Sequence, residues 1–520
     1  MESLLDALKL PQRRKEDTLL LAGLSMASVS IIYSIYRLYQ VKGTSKLEAG
    51  LNKIPSPKLS LPFVGHILSI GADANKQFIK WHEELGPIFQ IKMGRQTWIM
   101  ISDRQLAQKV LVTHGAETAF RPYNTWGYRY YSFNGFGIGF SQPGQHWNKN
   151  RAAALTVLAP KNIDKFEDAI VSETEYLASM LLKATLAKGS VDPRKHFELV
   201  STNVIYSTCF GSRFTAITDP KFYALSEMGK ENMVLAGFQH DLPNFLPFLS
   251  FVDRFIGTEA KMRHHIDTKR DPTYRQLIKE ARLMQGPNLV KSIDESSFDM
   301  TDDELLVFTS DFMLGATDTT SVTLAWSFAI LCHYQDVQQK LIQELDEFIS
   351  VHGRIPRFKE RNEIPYTVAV MRECMRFRAM TPIGVPHSVN QDLVVDGYLF
   401  PKGCTIVYST GSMHMDPDYY TNPKAFQPER FINNTKTMMA AANGRLSDRD
   451  HFAFGWGRRI CPGIYLAEME IFYAFVQLFA RAEILPDKKL PDIDGVQASG
   501  ITFTPNPYTL KCVPRTNAVV

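Results

Sequence analysis

Residues 454–463, with the sequence FGWGRRICPG, place a single cysteine, Cys461, in a glycine-rich turn directly before an apolar run. That run, residues 464–478, has the length and character of a buried helix. A thiol at a helix N-terminus is expected to be acidified, because the helix dipole and unpaired N–H groups stabilise the thiolate. Arg458 and Arg459 add positive charge beside it. The sulfur of Cys461 is therefore predicted to act as a nucleophile or as a metal ligand.

Three glycines of the same turn favour the ligand role. Gly455, Gly457 and Gly463 permit backbone conformations that other residues avoid, and they let the main chain approach a bulky, flat partner. A cysteine protease would also need a histidine as its base, and no local signature places one. A buried cysteine with a purely structural role is the remaining alternative.

The spacing Phe-x-x-Gly-x-Arg-x-Cys-x-Gly in this turn resembles the haem-binding loop of the cytochrome P450 family. Its five fixed positions are Phe454, Gly457, Arg459, Cys461 and Gly463. The resemblance implies that Cys461 is the thiolate ligand of the iron in haem b, and such a ligand favours O–O cleavage. It also implies a mainly α fold with small β-sheets over roughly residues 61–512. The sequence as a whole resembles fungal members of the family.

A second stretch that could do chemistry, residues 314–320, lies in the middle of a long predicted helix. Thr301 followed by Glu304 is a capping box that predicts where this helix begins. Gly315 weakens a helix by roughly 1 kcal/mol relative to alanine, and Asp318 is costly beside so many apolar neighbours. We therefore expect a functional distortion here, with a kinked, buried helix as the alternative.

The same stretch resembles the oxygen-activating helix of the family. In that helix an acid and the adjacent threonine organise a proton relay to dioxygen, so the resemblance assigns catalytic roles to Asp318 and Thr319. Asp318 would relay protons, and Thr319 would hold the oxygen and a water. Ala316 stands where the family pattern usually has a second glycine, a departure expected to change the shape of the groove without abolishing it.

Trp147 and Arg151 are four residues apart and therefore share one face of a predicted helix. The spacing alone would equally suit an amphipathic surface helix. The Trp-x-x-x-Arg pattern, however, is similar to the family's helix that donates hydrogen bonds to a haem propionate. The resemblance gives the same task to Arg459 and to His387, although an arginine is common at the position of His387.

Glu373 and Arg376 lie three residues apart on another predicted helix. An exposed pair of this kind contributes only about 0.5 kcal/mol. Arg430, in a Pro-Glu-Arg-Phe sequence some way downstream, completes a pattern that resembles the buried Glu-Arg-Arg triad of the family. The implied role is structural, because that triad fixes the segment that carries Cys461.

An apolar substrate pocket is predicted by analogy with the segments of the family that contact substrates. Its residues are Tyr130, Phe133, Phe136, Ile138, Leu314, Gly315, Ala316, Ile383, Val385, Ile501 and Thr502. This set suits a sterol-like, terpenoid or aromatic compound, with a steroid as the first choice. Residues 242–251 are very apolar for a connection between helices. They form either a core segment or, as in the family, a roof of the pocket that dips into the bilayer.

Residues 18–36 carry no charge and are long enough for a tilted helix to cross the hydrocarbon layer. A cleaved signal peptide is the alternative, but no small-residue cleavage site follows. We therefore expect an N-terminal flank at residues 1–17, a transmembrane anchor at 18–36, a proline-containing hinge at 37–62 and a haem-thiolate catalytic domain at 63–520. Basic residues on both sides leave the orientation undecided. The resemblance implies a single-pass protein of the endoplasmic reticulum with a cytosolic catalytic domain.

The bulk composition excludes some classes of function. A net charge of +4 from 58 basic and 54 acidic residues gives no reason to expect nucleic acid as a partner. The six cysteines have no paired spacing, so neither a zinc site nor a disulfide framework is predicted. Residues 88–93 and 97–101 are β-like runs that predict a hairpin, and most of the remaining chain reads as helices.

Together with the resemblance, these features imply a monooxygenase that hydroxylates an apolar small molecule with dioxygen. No flavin or ferredoxin module is expected within the chain, so electrons from NADPH would arrive through a separate flavoprotein reductase, with cytochrome b5 as a second donor. The docking surface would lie near Cys461, where Lys149 and Arg458 would attract an acidic partner. Two alternatives remain. One is an enzyme that rearranges hydroperoxides without a reductase, which the Asp318 and Thr319 pair disfavours; the other is a non-catalytic haem-binding protein.

Overall fold

The computed structural model describes residues 50–516, apart from residues 72, 238, 239, 252, 435, 500 and 501. The predicted anchor at residues 18–36 and the predicted pocket residue Ile501 therefore lie outside the described residues. In the part of the chain that is described, no helix has both the length and the apolar character that crossing a bilayer requires. The predicted fold, mainly α with small β-sheets, is confirmed.

Helices make up most of the described chain. They are α1 (Ala74–Leu85), α2 (Arg104–Gln108), α3 (Gly115–Thr118), α4 (Gln145–Val157), α5 (Pro160–Ile163), α6 (Glu167–Lys188), α7 (Arg194–Phe210), α8 (Pro220–Ala236), α9 (Leu242–Phe245), α10 (Asp253–Ile256), α11 (Thr258–His265), α12 (Asp271–Leu283), α13 (Leu289–Asp294), α14 (Asp302–His333), α15 (Gln335–His352), α16 (Pro365–Phe377), α17 (Thr410–His414), α18 (Met438–Asn443) and α19 (Ile464–Phe479). A π-helical segment, Thr125–Tyr131, precedes α4.

The strands form one sheet of four and three pairs. They are β1 (Ile88–Met93), β2 (Gln96–Ile101), β3 (His387–Ser388), β4 (Leu393–Val395), β5 (Tyr398–Phe400), β6 (Thr405–Tyr408), β7 (Ala482–Pro486), β8 (Val496–Ser499), β9 (Thr502–Pro505) and β10 (Leu510–Pro514). The larger sheet has the order β1-β2-β6-β3, with β2 and β6 parallel and the other neighbours antiparallel. The predicted hairpin is confirmed as β1 and β2, with Ile88 opposite Ile101.

The longest helix, α14, passes through the main hydrophobic core and packs against α7, α12, α16, α19 and β9. It begins at the predicted capping box, in which Thr301 and Glu304 each accept a hydrogen bond from the other's backbone N–H. The helix runs without a break from Asp302 to His333, and the expected distortion at its centre stays a prediction. Residues on both sides of 314–319 are largely buried, whereas those six are partly or fully accessible. A core helix with an accessible centre between two largely buried stretches must line an internal space there.

Helix α19 follows the cysteine turn directly, as predicted, and carries apolar residues almost throughout. It packs against α6 and contacts α14 and α16. The N-terminal end of α19 is therefore fixed inside the core, and the preceding turn lies where the core helices meet.

Two segments were expected to contact the membrane or to link the domain to it. Of the expected hinge, residues 50–62 are described, and they lie along the domain: Pro55 accepts a hydrogen bond from the Gln90 N–H at 2.8 Å, and Ile54 is buried. Of residues 242–251, Phe245 and Leu246 are buried, as the core alternative predicted. Phe251 is 63% exposed, so the end of this segment presents an apolar side chain to the surface.

Candidate functional site

The turn before α19 holds Cys461 by its own backbone. The Cys461 N–H donates to the Phe454 carbonyl at 2.9 Å, and the Gly463 N–H donates to the Cys461 Sγ at 3.3 Å. Gly457 has a φ of +54°, and a Cβ there would lie 2.1 Å from the Leu111 carbonyl oxygen. Only glycine fits this position. Gly463 differs from the expectation, because its φ of −93° is open to any residue.

The expected acidification of the Cys461 thiol is wrong for the polypeptide alone. Burial raises the pKa of this thiol above its ordinary value, and the Gly463 N–H and the charge of Arg151 offset only part of the rise. Arg458 is exposed, and Arg459 turns its guanidinium away to backbone carbonyls. A coordinating metal ion supplies the missing positive charge and deprotonates such a thiol outright. The sulfur is therefore suited to ligation rather than to nucleophilic attack.

Two buried arginines, Arg151 and Arg459, and one half-buried arginine, Arg121, lie close to the cysteine turn. The Arg459 guanidinium donates to the carbonyls of Ala119, Ile138 and Ser141, and Arg151 donates to the Ile460 carbonyl. Arg121 donates to the carbonyls of Gly139, Val385 and Pro386. Within the described part of the chain, none of the three forms an ion pair with a carboxylate. Their mutual repulsion is thus left without a compensating anion.

The electrostatic effect of this arrangement is large. Burial, together with the charges of Arg121 and Arg151, lowers the pKa of Arg459 to about 8. Burial likewise lowers the pKa of Arg121 to about 10, and Arg151 adds to this effect. A buried cluster of like charges is costly unless a ligand brings the opposite charge. The two propionates of haem b would do so.

Arg121 was missed in the sequence, because it lies in a Phe-Arg-Pro sequence without any pattern of its own. It joins the cluster only because residues 139 and 385–386 approach it in the fold. No local signal could have revealed this contact.

Trp147 and His387 complete the polar wall of the site. The Trp147 indole is buried, and its Nε1–H has no hydrogen-bond partner among the described residues. The Arg459 guanidinium stacks 4.4 Å from the centre of the Trp147 ring. An unpaired buried donor beside three arginines fits a carboxylate, so the residues present fit the propionates of haem b. The sequence prediction that Trp147 and Arg151 face inward from one helix agrees with this geometry.

His387 is less suited to the same task. Its Nδ1 lies 2.9 Å from the Thr118 carbonyl and must carry the proton. Burial and the nearby charges of Arg121 and Arg459 lower the pKa of His387 well below its ordinary value. A neutral ring in this tautomer presents a lone pair, not an N–H, at Nε2. It would need the negative charge of a propionate to become protonated and donate.

The accessible stretch of α14 carries the predicted proton relay. A Cβ added at Gly315 would meet nothing within 4 Å, so open space adjoins the helix there. The Thr319 hydroxyl donates to the Gly315 carbonyl at 2.7 Å. Burial raises the pKa of the Asp318 carboxyl above its ordinary value, and a hydrogen bond from the Thr502 hydroxyl partly opposes the rise. Strand β9, which packs on α14, thus brings Thr502 to Asp318.

The predicted pocket residues come from segments that border three hydrophobic clusters. Phe133, Phe136, Ile138 and Ala316 are partly buried and pack against the cluster that also includes Cys461. Leu314, together with Phe133, borders a second cluster around Trp126 and Tyr131. Ile383 borders a third cluster around Phe245. Val385 is half-buried beside Arg121.

Two of the predicted pocket residues have other partners. The Tyr130 hydroxyl donates to Glu259 at 2.8 Å and so ties the π-helical segment Thr125–Tyr131 to α11. Thr502 is fully buried and bonds to Asp318. Neither hydroxyl is therefore free to serve as the main contact for a substrate.

Asp311 is a second residue that sequence reasoning missed. Its carboxylate accepts hydrogen bonds from the N–H groups of Ile138, at 2.5 Å, and Gly139, at 3.2 Å. Burial raises the pKa of Asp311 to about 6, against the opposing effect of these two bonds. Asp311 lies two turns before Thr319 on the same helix, and it holds the segment that supplies Ile138 to the pocket.

The three residues of the predicted triad do come together. Arg376 Nε lies 2.6 Å and Arg430 Nε lies 3.2 Å from the Glu373 carboxylate. Glu373 and Arg376 are completely buried, and only 12% of the Arg430 side chain is exposed. The pair is therefore not the weak surface pair that the spacing alone would allow.

Comparisons with known proteins agree with this geometry. A family model described as Cytochrome P450 matches residues 55–512. Cytochrome P450 2C21 of Canis lupus familiaris is 29% identical over 94% of this chain and 98% of its own length. Cytochrome P450 2G1 of Rattus norvegicus is 29% identical over 88% and 93%. Steroid 17-alpha-hydroxylase/17,20 lyase of Rattus norvegicus is 27% identical over 89% and 93%. These relatives are mammalian proteins, so they do not bear on the expected likeness to fungal members.

The residues that the family model matches include the arginine cluster, the accessible centre of α14, the triad and the cysteine turn. Enzymes of this family use haem b, dioxygen and electrons that reach them from NADPH through a reductase. The chain therefore belongs to the cytochrome P450 family and is a monooxygenase.

Proposed function

We propose that this monooxygenase hydroxylates an apolar small molecule at the membrane of the endoplasmic reticulum, with electrons from an NADPH-dependent flavoprotein reductase. The observation that carries the proposal is that Cys461, held by the backbone of its turn, and Ala316, in the accessible centre of α14, pack against the same hydrophobic cluster. The catalytic roles fall to Asp318 and Thr319, and the propionate contacts to Trp147, Arg151, Arg459 and Arg121.

In the proposed mechanism, haem b bound through Cys461 supplies the activation of dioxygen. The protein supplies protons and position. Because burial raises its pKa, the Asp318 carboxyl takes up a proton more readily than an exposed carboxylate does, as a proton relay requires. Thr502 holds that carboxyl in place, and the Thr319 hydroxyl lies one residue further along the accessible stretch. The open space beside Gly315 leaves room for a small molecule to approach the helix.

Replacing Thr319 with alanine tests the relay. We expect Thr319→Ala to lower the coupling of NADPH oxidation to product by about 100-fold, because a hydroxyl that directs protons is lost. The NADPH that no longer yields product should appear as peroxide, and both quantities are measured in the reconstituted system with reductase. Thr323→Ala is a matched control, since the Thr323 hydroxyl donates to the Thr319 carbonyl at 2.8 Å in the same way but is buried. Unaltered coupling in Thr319→Ala would contradict the proposed role.

The proposed substrate is a steroid, terpenoid or similar apolar compound. The pocket residues that are partly accessible are mainly aromatic or aliphatic. One relative is named for steroid 17-alpha-hydroxylation, which supports a steroid as the first choice to test.

Access from the lipid phase fits the same proposal. Leu68, Phe251 and Phe255 are strongly exposed. Leu68 follows Ile67, and Phe251 lies two residues after Leu249; both Ile67 and Leu249 border the cluster around Phe245. Exposed apolar side chains such as these suit contact with a bilayer.

The proposed reductase surface lies on the side of Cys461. Arg458 is exposed and available to an acidic partner. Lys149 contributes less than the sequence suggested, because its Nζ lies 2.8 Å from the Glu304 carboxylate and the side chain is only 27% exposed. Cytochrome b5 is proposed as a second donor to the same surface.

Reconstitution decides between the candidate functions. The purified protein, loaded with haem, is screened with steroids, terpenes and fatty acids for the spectral change that accompanies displacement of the axial water. The compounds that bind are then incubated with NADPH and reductase. We expect a hydroxylated product that requires both. Product from a hydroperoxide without reductase would favour the rearranging enzyme instead, and the absence of any turnover would favour a non-catalytic haem protein.

A further inference from the structure

A buried histidine, His414, lies between the Glu-Arg-Arg triad and the cysteine turn. It is the last residue of α17 and is completely buried. Its ring Nε2 lies 2.9 Å from the Phe452 backbone nitrogen, and its Nδ1 lies 3.1 Å from the Arg376 carbonyl oxygen. One ring therefore contacts the backbone of both functional segments.

The hydrogen bonds fix the tautomer of this ring. The Phe452 nitrogen can only donate, so Nε2 must accept, and the proton must lie on Nδ1 and point at the Arg376 carbonyl. Burial and the adjacent Arg376 charge lower the pKa of His414 to about 3, in agreement with a permanently neutral ring. The neutral ring thus bridges the Phe452 N–H and the Arg376 carbonyl.

The connection to Arg376 is reciprocal. The Arg376 guanidinium donates to the His414 carbonyl at 2.9 Å, while the His414 ring donates to the Arg376 carbonyl. Arg376 is itself held by two hydrogen bonds to the Glu373 carboxylate. His414 is therefore attached to a completely buried ion pair that two hydrogen bonds hold.

The connection to the sulfur runs through the backbone of the turn. Phe452 stacks on Trp456, with ring centres 5.2 Å apart and planes 7° from parallel. The Phe452 carbonyl accepts from the Gly455 N–H at 3.4 Å, and the neighbouring Phe454 carbonyl accepts from the Cys461 N–H at 2.9 Å. A shift of Phe452 would therefore be passed to Phe454 and to Cys461.

We propose that His414 is a positioning residue for the ligand turn: its imidazole joins the Arg376 backbone to the Phe452 N–H and thereby fixes the placement of the Cys461 sulfur. Groups that orient a metal ligand without touching the metal typically change metal affinity or activity by about 10- to 100-fold when removed. The inference rests on the proposed role of Cys461 as the iron ligand.

Two substitutions separate the two hydrogen bonds. The amide nitrogen of His414→Asn can occupy the place of Nδ1 and keep the bond to Arg376, but nothing then accepts from Phe452. The amide oxygen of His414→Gln can occupy the place of Nε2 and keep the bond to Phe452. In His414→Gln the carbonyl of residue 414 can still accept from the Arg376 guanidinium, so the link to Arg376 is kept through the backbone. If the ligand turn depends on the bond from residue 414 to the Phe452 N–H, only the asparagine variant should affect the haem.

His66 provides a matched control. It is also buried, its Nδ1 accepts from the Lys92 N–H at 2.9 Å, and its Nε2 lies 3.2 Å from the Pro57 carbonyl. It joins the N-terminal segment to β1 and makes no contact with the cysteine turn. His66→Asn and His66→Gln therefore report the general cost of losing a buried bridging histidine.

The experiment uses the haem-loaded full-length protein in all four variants. Three quantities are measured: the fraction of carbonyl complex with the red-shifted band of thiolate-ligated haem, the rate of haem transfer to a haem-free globin, and the denaturation midpoint. We expect His414→Asn to lose haem about tenfold faster and to show less of the thiolate band. His414→Gln and both His66 variants should retain the wild-type band and transfer rate, whatever their midpoints.

The proposal is overturned if His414→Asn holds haem as tightly as His66→Asn, or if the asparagine and glutamine variants of His414 lose haem equally. The ligand assignment is judged separately by Cys461→Ser. If that variant retains the thiolate band, the assignment itself is wrong. If it loses the band while His414→Asn does not, only the positioning role of His414 is wrong.

Discussion

Cys461→Ser is expected to fold and to bind haem weakly, but to lose the red-shifted carbonyl band of thiolate-ligated haem completely. A serine hydroxyl is a far weaker acid and a harder ligand than a thiol, so it cannot replace the thiolate at the iron. Reductase-dependent product formation should fall by more than about 100-fold, since even residues behind a ligand have effects of up to that size. The carbonyl difference spectrum and a turnover assay measure both effects.

Cys209→Ser is the matched control for this experiment. Cys209 is also a buried free thiol, and burial raises its pKa strongly. It lies in α7, where no element of the site depends on its sulfur. Placing a hydroxyl there should lower stability by about 1–3 kcal/mol, while the thiolate band stays intact. A Cys461→Ser protein with an unchanged band would contradict the ligand assignment.

The parts of the site that lie within one short stretch of sequence were predictable. Residues 454–463 and the pair Asp318 and Thr319 stood out because their residue types and spacing are unusual and resemble motifs of the family; the roles assigned to them stay predictions. The capping box predicted the start of α14 for the same reason: its two hydrogen bonds form between residues three apart.

The parts that depend on burial were not predictable. The pKa of Cys461 is raised rather than lowered, because desolvation in the core outweighs the local N–H and the one arginine that faces the sulfur. Lys149 pairs with Glu304 on a different helix. Both effects arise from elements that are distant in sequence and meet only in the folded core.

Arg121, Asp311 and His414 illustrate the same limit. Each acts on backbone groups, which every residue carries, so the sequence of the partner segment contains no matching signal. Arg121 donates to carbonyls more than 260 residues away in the Val385 segment. Such contacts depend on how the whole chain folds, and the residues next to Arg121 do not indicate which distant backbone segment will approach it.

The largest loss of stability is expected from Glu373→Ala. The Glu373 carboxylate accepts from Arg376, from Arg430 and from the Gln427 N–H at 2.8 Å, and it is completely buried. Removing one partner of a buried ion pair leaves an uncompensated charge and costs about 3–5 kcal/mol. A domain is typically stable by only about 5–15 kcal/mol. The variant should therefore lie close to the limit of folding, as chemical denaturation followed by fluorescence would show.

Glu429→Gln is the control for Glu373→Ala, because it removes a carboxylate from the adjacent turn Pro428–Phe431. Its partner Lys340 lies 3.4 Å away, and both side chains are more than half exposed. Such a pair contributes at most about 1 kcal/mol.

The contrast between the two variants also tests how the triad acts on the haem site, since Arg376 joins the triad to the cysteine turn through His414. Glu373→Ala should release haem at a lower denaturant concentration than the one that unfolds its helices, whereas Glu429→Gln should release haem and unfold at the same concentration. If Glu373→Ala unfolds and releases haem at the same denaturant concentration, the triad contributes to overall stability alone and does not separately hold the ligand turn.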